Sequence, residues 1–341
     1  MLDSIKRKGR RAIYVAEIGL NHNGSVDTAR ALIEAAARAG ADAVKFQVFV
    51  PELMVSPRAE ELLSQGSGRG GAVEFFRKFV LGDGELRELK AAAEAEDLAF
   101  FSSVFDVDSL DLLESMGVDL YKLASSEVTN HPLISAVART GKPLVLSTGI
   151  SSEEEIDLAV SLFRGASGAE LVLMHCVSLY PTGAGDANLA RIPALARRFG
   201  LQVGFSDHTR EAAAPMLASA LGARIFERHF TIDRFHDCPD KEISSTPEEF
   251  SAMMQAVESA IEMVGDGAIT SGSAEAGVAR AARRSLFART GIPKGKPVEE
   301  GELVALRPGV GIPPHMMGSV IGRTARVEIP AGGLITIEDL D

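Results

Sequence analysis

Short apolar runs that end in polar residues alternate along this chain with longer stretches whose apolar residues recur three and four apart. The runs cover 13–19, 43–48, 99–105, 120–125, 143–148, 171–178, 202–207 and 224–231. Their length and their content of Val, Ile, Leu and Phe read as buried strands. The stretch 28–39, with Leu32, Ile33 and Ala36 on one stripe, reads as an amphipathic helix, and further helices are expected at 84–96, 107–116, 132–139, 152–163, 189–199, 212–221 and 247–264. Strand and helix alternating eight times predict a (β/α)8 TIM barrel. A doubly wound open sheet also alternates, but no Gly-x-Gly-x-x-Gly follows the first run.

In such a barrel the reactive groups gather at the carboxyl ends of the strands. Polar residues stand there in every repeat: Glu17; Lys45 and Gln47; Ser102 and Ser103; Lys122, Ser125 and Glu127; Ser147; Ser178 and Tyr180; Ser206 and His208; Glu227 and His229. Successive strand side chains point to opposite faces, so Glu227, His229 and Thr231 share one face, and Ser206 and His208 share one on the preceding strand. Two histidines ending consecutive strands suggest a single metal site. A buried Lys or Glu is costly unless paired, so a salt-bridge network that fills the mouth is the alternative reading of these residues.

Two stretches fall outside the repeat. The connection 49–82 is much longer than the others and carries Gly66, Gly68, Gly70 and Gly71, as lids and binding loops do. The chain also changes character after 265: a Gly-, Ser- and Ala-rich stretch leads to short strands at 285–288 and 303–306 among frequent Pro and Gly. The expected organisation is a barrel domain over 1–265, a linker over 266–282 and a small, mostly β domain over 283–341.

Composition narrows the partners. With 341 residues and 46% hydrophobic content the chain has ample core material. A net charge of -12 argues against a nucleic-acid surface, so an anionic ligand must meet locally placed cations such as Lys45 and Lys122. No run of about eighteen apolar residues is present, so no membrane span is expected. The basic start at Lys6 to Arg11 lacks the apolar run of a signal peptide. Two cysteines, Cys176 and Cys238, far apart and outside any Cys-x-x-Cys pair, fit a reducing cytoplasm.

Taken in order, the segments 16–24 (AEIGLNHNG), 45–47 (KFQ), 122–127 (KLASSE), 147–149 (STG), 206–209 (SDHT) and 227–231 (ERHFT) resemble the N-acetylneuraminate (sialic acid) synthase family and its relatives that make other nonulosonic acids. The C-terminal part resembles that family's SAF, or antifreeze-like, domain. The resemblance implies condensation of phosphoenolpyruvate with an N-acetylmannosamine-type aldehyde and release of phosphate. The acceptors leading to legionaminic or pseudaminic acid are alternatives. It places a divalent metal on His208 and His229, typically manganese, with magnesium or cobalt as alternatives, and gives Glu17 a catalytic role. Phosphoenolpyruvate contacts carry over to Lys45, Ser103, Lys122, Ser125, Ser147, Ser178 and Ser206, and sugar contacts to Glu17, Gln47, Glu127, Tyr180, Asp240 and Arg307. Ser103 and Ser178 stand where some relatives have Thr and Asn, and Cys238 precedes Pro239 and Asp240 where Gly is usual. Because Arg307 belongs to the SAF domain, which in the family reaches the partner's active site, a domain-swapped homodimer is implied. A metal-dependent aldolase and a non-catalytic sugar-binding protein are the rival functions.

Overall fold

A computed structural model describes residues 5, 9–59, 71–270 and 272–341. The chain divides into two units, Met1–Gly265 and Asp266–Asp341.

In the first unit eight parallel strands close into a barrel: β1 (Ile13–Gly19), β2 (Ala43–Val48), β3 (Ala99–Val104), β4 (Tyr121–Leu123), β5 (Leu144–Ser147), β6 (Leu171–His175), β7 (Gln202–Asp207) and β8 (Ile225–His229). A helix follows each: α1 (Val26–Ala39), α2 (Asp83–Ala95), α3 (Val107–Ser115), α4 (His131–Arg139), α5 (Glu153–Ala166), α6 (Arg191–Phe199), α7 (Ala213–Ala220) and α8 (Pro247–Val264). The (β/α)8 architecture expected from the alternation is therefore present. Several helices start at side-chain caps: Ser25 on α1, and capping boxes Ser152–Glu155 on α5 and Thr246–Glu249 on α8.

Alternation along the strands explains where the core ends and the mouth begins. Tyr14, Val44, Phe46, Leu144, Leu146, Leu171, Leu173, Phe205 and Phe226 belong to the apolar layer shared with the helices. Ile13, Val15, Ala43, Phe101, Val145, Val172, Met174 and Ile225 form a separate cluster inside the barrel. Continuing that inward set two residues at a time gives Glu17, Lys45, Ser103, Ser147, Cys176 and Glu227, so each strand switches from apolar to polar toward its carboxyl end. Gly204 marks the tightest point of the interior: a Cβ there would meet Met174 Sδ at 2.3 Å and the Ile225 carbonyl oxygen at 2.8 Å.

Five strands stop short of the runs read from the sequence, β3 and β5 by a single residue. β4 ends at Leu123 and gives way to a 3-10 turn, Ser125–Thr129, while β6 ends at His175 and β8 at His229. Of the long connection after β2, residues 60–70 lie outside the described set, including Gly66, Gly68 and Gly70. Its flanks contain short helices Pro51–Met54 and Ala72–Arg77. There Phe49 packs edge-on to Phe76 and Phe105, with ring centroids 5.5 and 6.1 Å apart.

The second unit pairs β9 (Ser285–Ala288) antiparallel with β10 (Leu303–Leu306) and has its own core, including Leu286, Ile292, Val298, Leu303, Val320 and Ile335. Ser285 Oγ accepts from the backbone N–H groups of Val310 and Gly311 and donates to the Pro308 carbonyl, which fixes the turn carrying Arg307. Arg307 is exposed and has no ion-pair partner among the described residues. Among the described residues no helix is long and apolar enough to cross a membrane.

Candidate active site at the barrel mouth

The carboxyl ends of the strands enclose a cavity of about 230 Å³ lined by Glu17, Lys45, Gln47, Ser103, Lys122, Ser125, Ser147, Ser178, Tyr180, Ser206, His208 and His229, all singled out from the sequence. Glu227, also singled out, lines it, as do Cys176, Phe105 and Ile150. A larger groove of about 780 Å³ lies beside α7 and α8. Its Arg210, Arg228 and Arg234 are paired with Glu242, Asp207 and Glu249, and no chemically complementary set converges there.

On one side of the mouth, strand register creates a charge relay. Glu17 on β1 is level with Lys45 on β2 and with His229 on β8. Lys45 Nζ lies 2.8 Å from Glu17 Oε2 and 3.9 Å from Glu227 Oε1, and donates to Ser103 Oγ at 3.0 Å. Gln47 Nε2 donates to Glu17 Oε1 at 2.9 Å. The two carboxyls are driven apart. Burial lifts Glu17 above the ordinary carboxylate range, more than Lys45 lowers it, and Glu227 adds to the rise. For Glu227 burial also acts upward, but Lys122, Lys45 and the Ser206 hydroxyl hold it at about 2. Glu227 is thus ionised, and Glu17 is the carboxylate that can take a proton.

Across the mouth, Lys122 Nζ donates to Ser147 Oγ at 2.6 Å, and its pKa is lowered by burial and by the neighbouring Lys45 charge. Above it, Ser125 Oγ accepts from the Gly149 backbone N–H at 2.9 Å and lies 3.2 Å from Cys176 Sγ. A Cβ at Gly149 would come within 2.7 Å of Ser178 Oγ, 2.9 Å of Cys176 Sγ and 2.9 Å of Ser125 Oγ, so only glycine lets these three groups converge. The next residue, Ile150, has φ 49°. That left-handed backbone costs an L-residue roughly 1–2 kcal/mol. Hydrogen bonds from Thr148 Oγ1 to the Met174 carbonyl and from Ser151 Oγ to the Gly149 carbonyl hold the turn in place.

The histidines meet at the rim between β7 and β8, ring centroids 5.5 Å apart. His208 Nδ1 is 2.8 Å from the Val177 carbonyl oxygen, which fixes Nδ1–H and leaves Nε2 unprotonated. Burial and the nearby His229 depress its pKa to about 4, so the ring is neutral near pH 7. Burial would lower His229 as well, but Asp240, then Glu17, raise it. Asp240 Oδ2 lies 3.2 Å from His229 Nδ1, out of line for a hydrogen bond, and that nitrogen is a buried atom without a hydrogen-bond partner. Tyr180 stacks on His208 at 4.3 Å and meets His229 edge-on at 5.9 Å. Asn21, fully buried, accepts from the Asp240 backbone N–H and donates to Ser244 Oγ, anchoring the loop that presents Asp240.

The donor set fits a divalent ion in one respect: two imidazoles stand with ring centroids 5.5 Å apart, one with a ready lone pair and one with a nitrogen that makes no hydrogen bond. Among the described residues no group of three or more His, Cys, Asp or Glu side chains could hold an ion alone. An ion on the histidines would need oxygen ligands from substrate or water.

Some groups named from the sequence stand elsewhere. Glu127 sits in the 3-10 turn after β4, where it accepts from Ser126 Oγ at 2.8 Å and Asn130 Nδ2 at 2.7 Å, and it does not line the cavity. Ser102 faces away and donates to the Phe46 carbonyl. Arg307 lies in the second unit. Cys176 was readable as a lining residue, two positions before Ser178, whereas no periodicity points to Ile150.

Fold and mouth together define a (β/α)8-barrel enzyme carrying a small β domain. Residues 32–269 match the NeuB family and residues 283–341 the SAF domain, so the chain belongs to the NeuB family. It is 33% identical to the N,N'-diacetyllegionaminic acid synthase of Legionella pneumophila, over 100% of this chain and 98% of the relative. It is also 33% identical to the pseudaminic acid synthase of Helicobacter pylori, over 96% and 97%. The crystal structure of the N-acetylneuraminic acid (sialic acid) synthetase of Leptospira borgpetersenii superimposes with a TM-score of 0.70 at 34% identity, covering 77% of this chain and 88% of that one.

Proposed function

We propose that this enzyme condenses phosphoenolpyruvate with the open-chain aldehyde of an acetamido sugar, giving a nonulosonic acid and phosphate. The observation that carries the reading is the convergence, in one cavity, of two buried lysines and a ring of serine hydroxyls with the carboxyls of Glu17 and Glu227. Phosphoenolpyruvate concentrates negative charge on few atoms, and an acidic protein can hold it only with such fixed cations and aimed donors. The three relatives above make products of this kind, which supports the class and leaves the sugar among N-acetylmannosamine and the diacetamido hexoses.

His208 and His229 would hold a divalent ion, for which we favour manganese, and when bound it would supply Lewis-acid polarisation of the aldehyde oxygen. The chain's own groups do the rest. Lys45, Lys122, Ser103, Ser125, Ser147, Ser178 and Ser206 hold the carboxylate and phosphate, while Gln47, Tyr180 and Asp240 orient the sugar. C3 of phosphoenolpyruvate attacks the aldehyde carbon, a carbon–carbon bond forms and C2 becomes cationic, stabilised by the Glu227 carboxylate. The aldehyde oxygen is left as an alkoxide; Glu17 takes a proton from the water that adds to C2 and passes it to that oxygen, and the proton of the new C2 hydroxyl leaves with the phosphate as the C2–O bond breaks and the C2 carbonyl forms. We further infer a domain-swapped homodimer acting in the cytoplasm, with Arg307 of each SAF domain serving the partner's site.

Phosphate release tests the reading. It should require a particular acetamido sugar and stop with a chelator, and in labelled water the new oxygen should enter the sugar acid and not the phosphate. Release without any acceptor, or label in the phosphate, would overturn it.

A further inference from the structure

We propose that Ile150 is a specificity-determining residue that reads the apolar acetamido methyl of the acceptor; the inference rests on the proposed condensation. Four non-glycine residues among those described have positive φ, and the other three are Asn23, Asp97 and Asn188, types that tolerate the left-handed region. Ile150 is the exception, because a β-branched side chain is poorly suited to that backbone. Glycine or asparagine would satisfy the turn better, so the backbone does not explain the isoleucine.

Packing does not explain it either, since Ile150 is 74% exposed and belongs to no buried cluster. What the side chain does is line the mouth, beside Ser125, Ser178 and Tyr180. Its neighbour Gly149 is locked from below by the Ser125 hydroxyl, so the isoleucine is presented from a fixed base. Within this chain no side chain covers it, so an apolar group at the edge of a polar cavity gains a contact when a ligand enters. Phosphoenolpyruvate is almost entirely charged, whereas the acetamido methyl of the sugar is the apolar feature that distinguishes it from an amino or formamido analogue.

Ile150→Ala keeps the strained backbone and removes the contact, while Ile150→Gly removes both. Acetamido and formamido acceptors would be compared by phosphate release at saturating phosphoenolpyruvate, with thermal melts of each variant. We expect the acceptor KM to rise about tenfold in both variants and the preference for acetamido over formamido to fall by a similar factor, the scale for one methyl-sized contact. The KM for phosphoenolpyruvate should stay within twofold, and Ile150→Gly should melt no lower than wild type. An unchanged acetamido preference, or a KM change in Ile150→Ala that Ile150→Gly abolishes, would overturn the inference while leaving the condensation intact. Absence of acceptor-dependent release from the wild-type enzyme would instead remove the reaction itself, and the role of Ile150 with it.

Discussion

Lys45 Nζ lies 2.8 Å from Glu17 Oε2, with both side chains almost wholly inaccessible to water. The ammonium also stands 3.9 Å from Glu227, so together with Lys122 it lets two carboxylates share one small cavity. Lys45→Met should therefore harm stability and activity together. Breaking a buried pair costs about 3–5 kcal/mol, and loss of a charge aimed at the reacting phosphate should cost on the order of 100- to 1,000-fold in kcat/KM. Adding Glu17→Gln should recover much of the melting temperature but none of the turnover. A single variant that keeps the wild-type KM for phosphoenolpyruvate would remove Lys45 from the anion site.

Two glycines separate folding from binding. Gly204→Ala would drive a Cβ into Met174 and the Ile225 backbone in the barrel interior, and overpacking of this kind costs about 1–3 kcal/mol or more. Gly149→Ala meets three side-chain atoms at the mouth instead. It should leave the melting temperature nearer wild type and raise the KM for phosphoenolpyruvate through displacement of Ser125 and Ser178. Thermal melts and steady-state kinetics on the pair check the contrast, and equal loss of stability in both would contradict it.

His22 couples stability to pH. It is 1% exposed, its Nδ1 accepts from the Gly24 backbone N–H, and burial lowers its pKa to about 4. Below about pH 6.5 the unfolded chain takes up a proton that the folded chain refuses until about pH 4. Stability present above pH 6.5 is therefore lost as the pH falls through this window, by about 3 kcal/mol at most from this residue. Denaturant midpoints from pH 7.5 to 4.5 should fall less steeply in His22→Gln than in wild type. Parallel slopes would mean that His22 titrates normally.

The proposed exchange of SAF domains makes a complementation prediction. Arg307→Ala and Lys45→Met should each be inactive alone, yet coexpression should recover roughly a quarter of wild-type activity, because mixed dimers form half the population and carry one intact site in two. No recovery, with mixed dimers demonstrated, would place Arg307 at the site of its own chain.

Legibility from sequence followed the strands. Where backbone is extended, period two places Glu227 with His229 and Ser206 with His208, and in the structure the two histidines stand side by side. The reading weakened where the extended backbone ended. Beyond Leu123 the chain turns into a 3-10 segment, which keeps Ser125 at the mouth but rotates Glu127 onto Asn130. Cys176 is legible by the same rule, continuing Val172 and Met174. Ile150 was out of reach, because its place depends on a left-handed turn that no pattern of hydrophobicity records. Glu227 is legible as a mouth residue, but the two lysines that depress its pKa come from strands distant in sequence.

Glu17 and His229 are register partners across the seam where the first strand meets the last. More than two hundred residues must be synthesised and wound before these two side chains become neighbours, since the strand carrying His229 begins only at Ile225. No nascent or half-built barrel can possess a weakened version of this site. The charge cluster is therefore a property of the closed ring, assembled only when β1 pairs with β8.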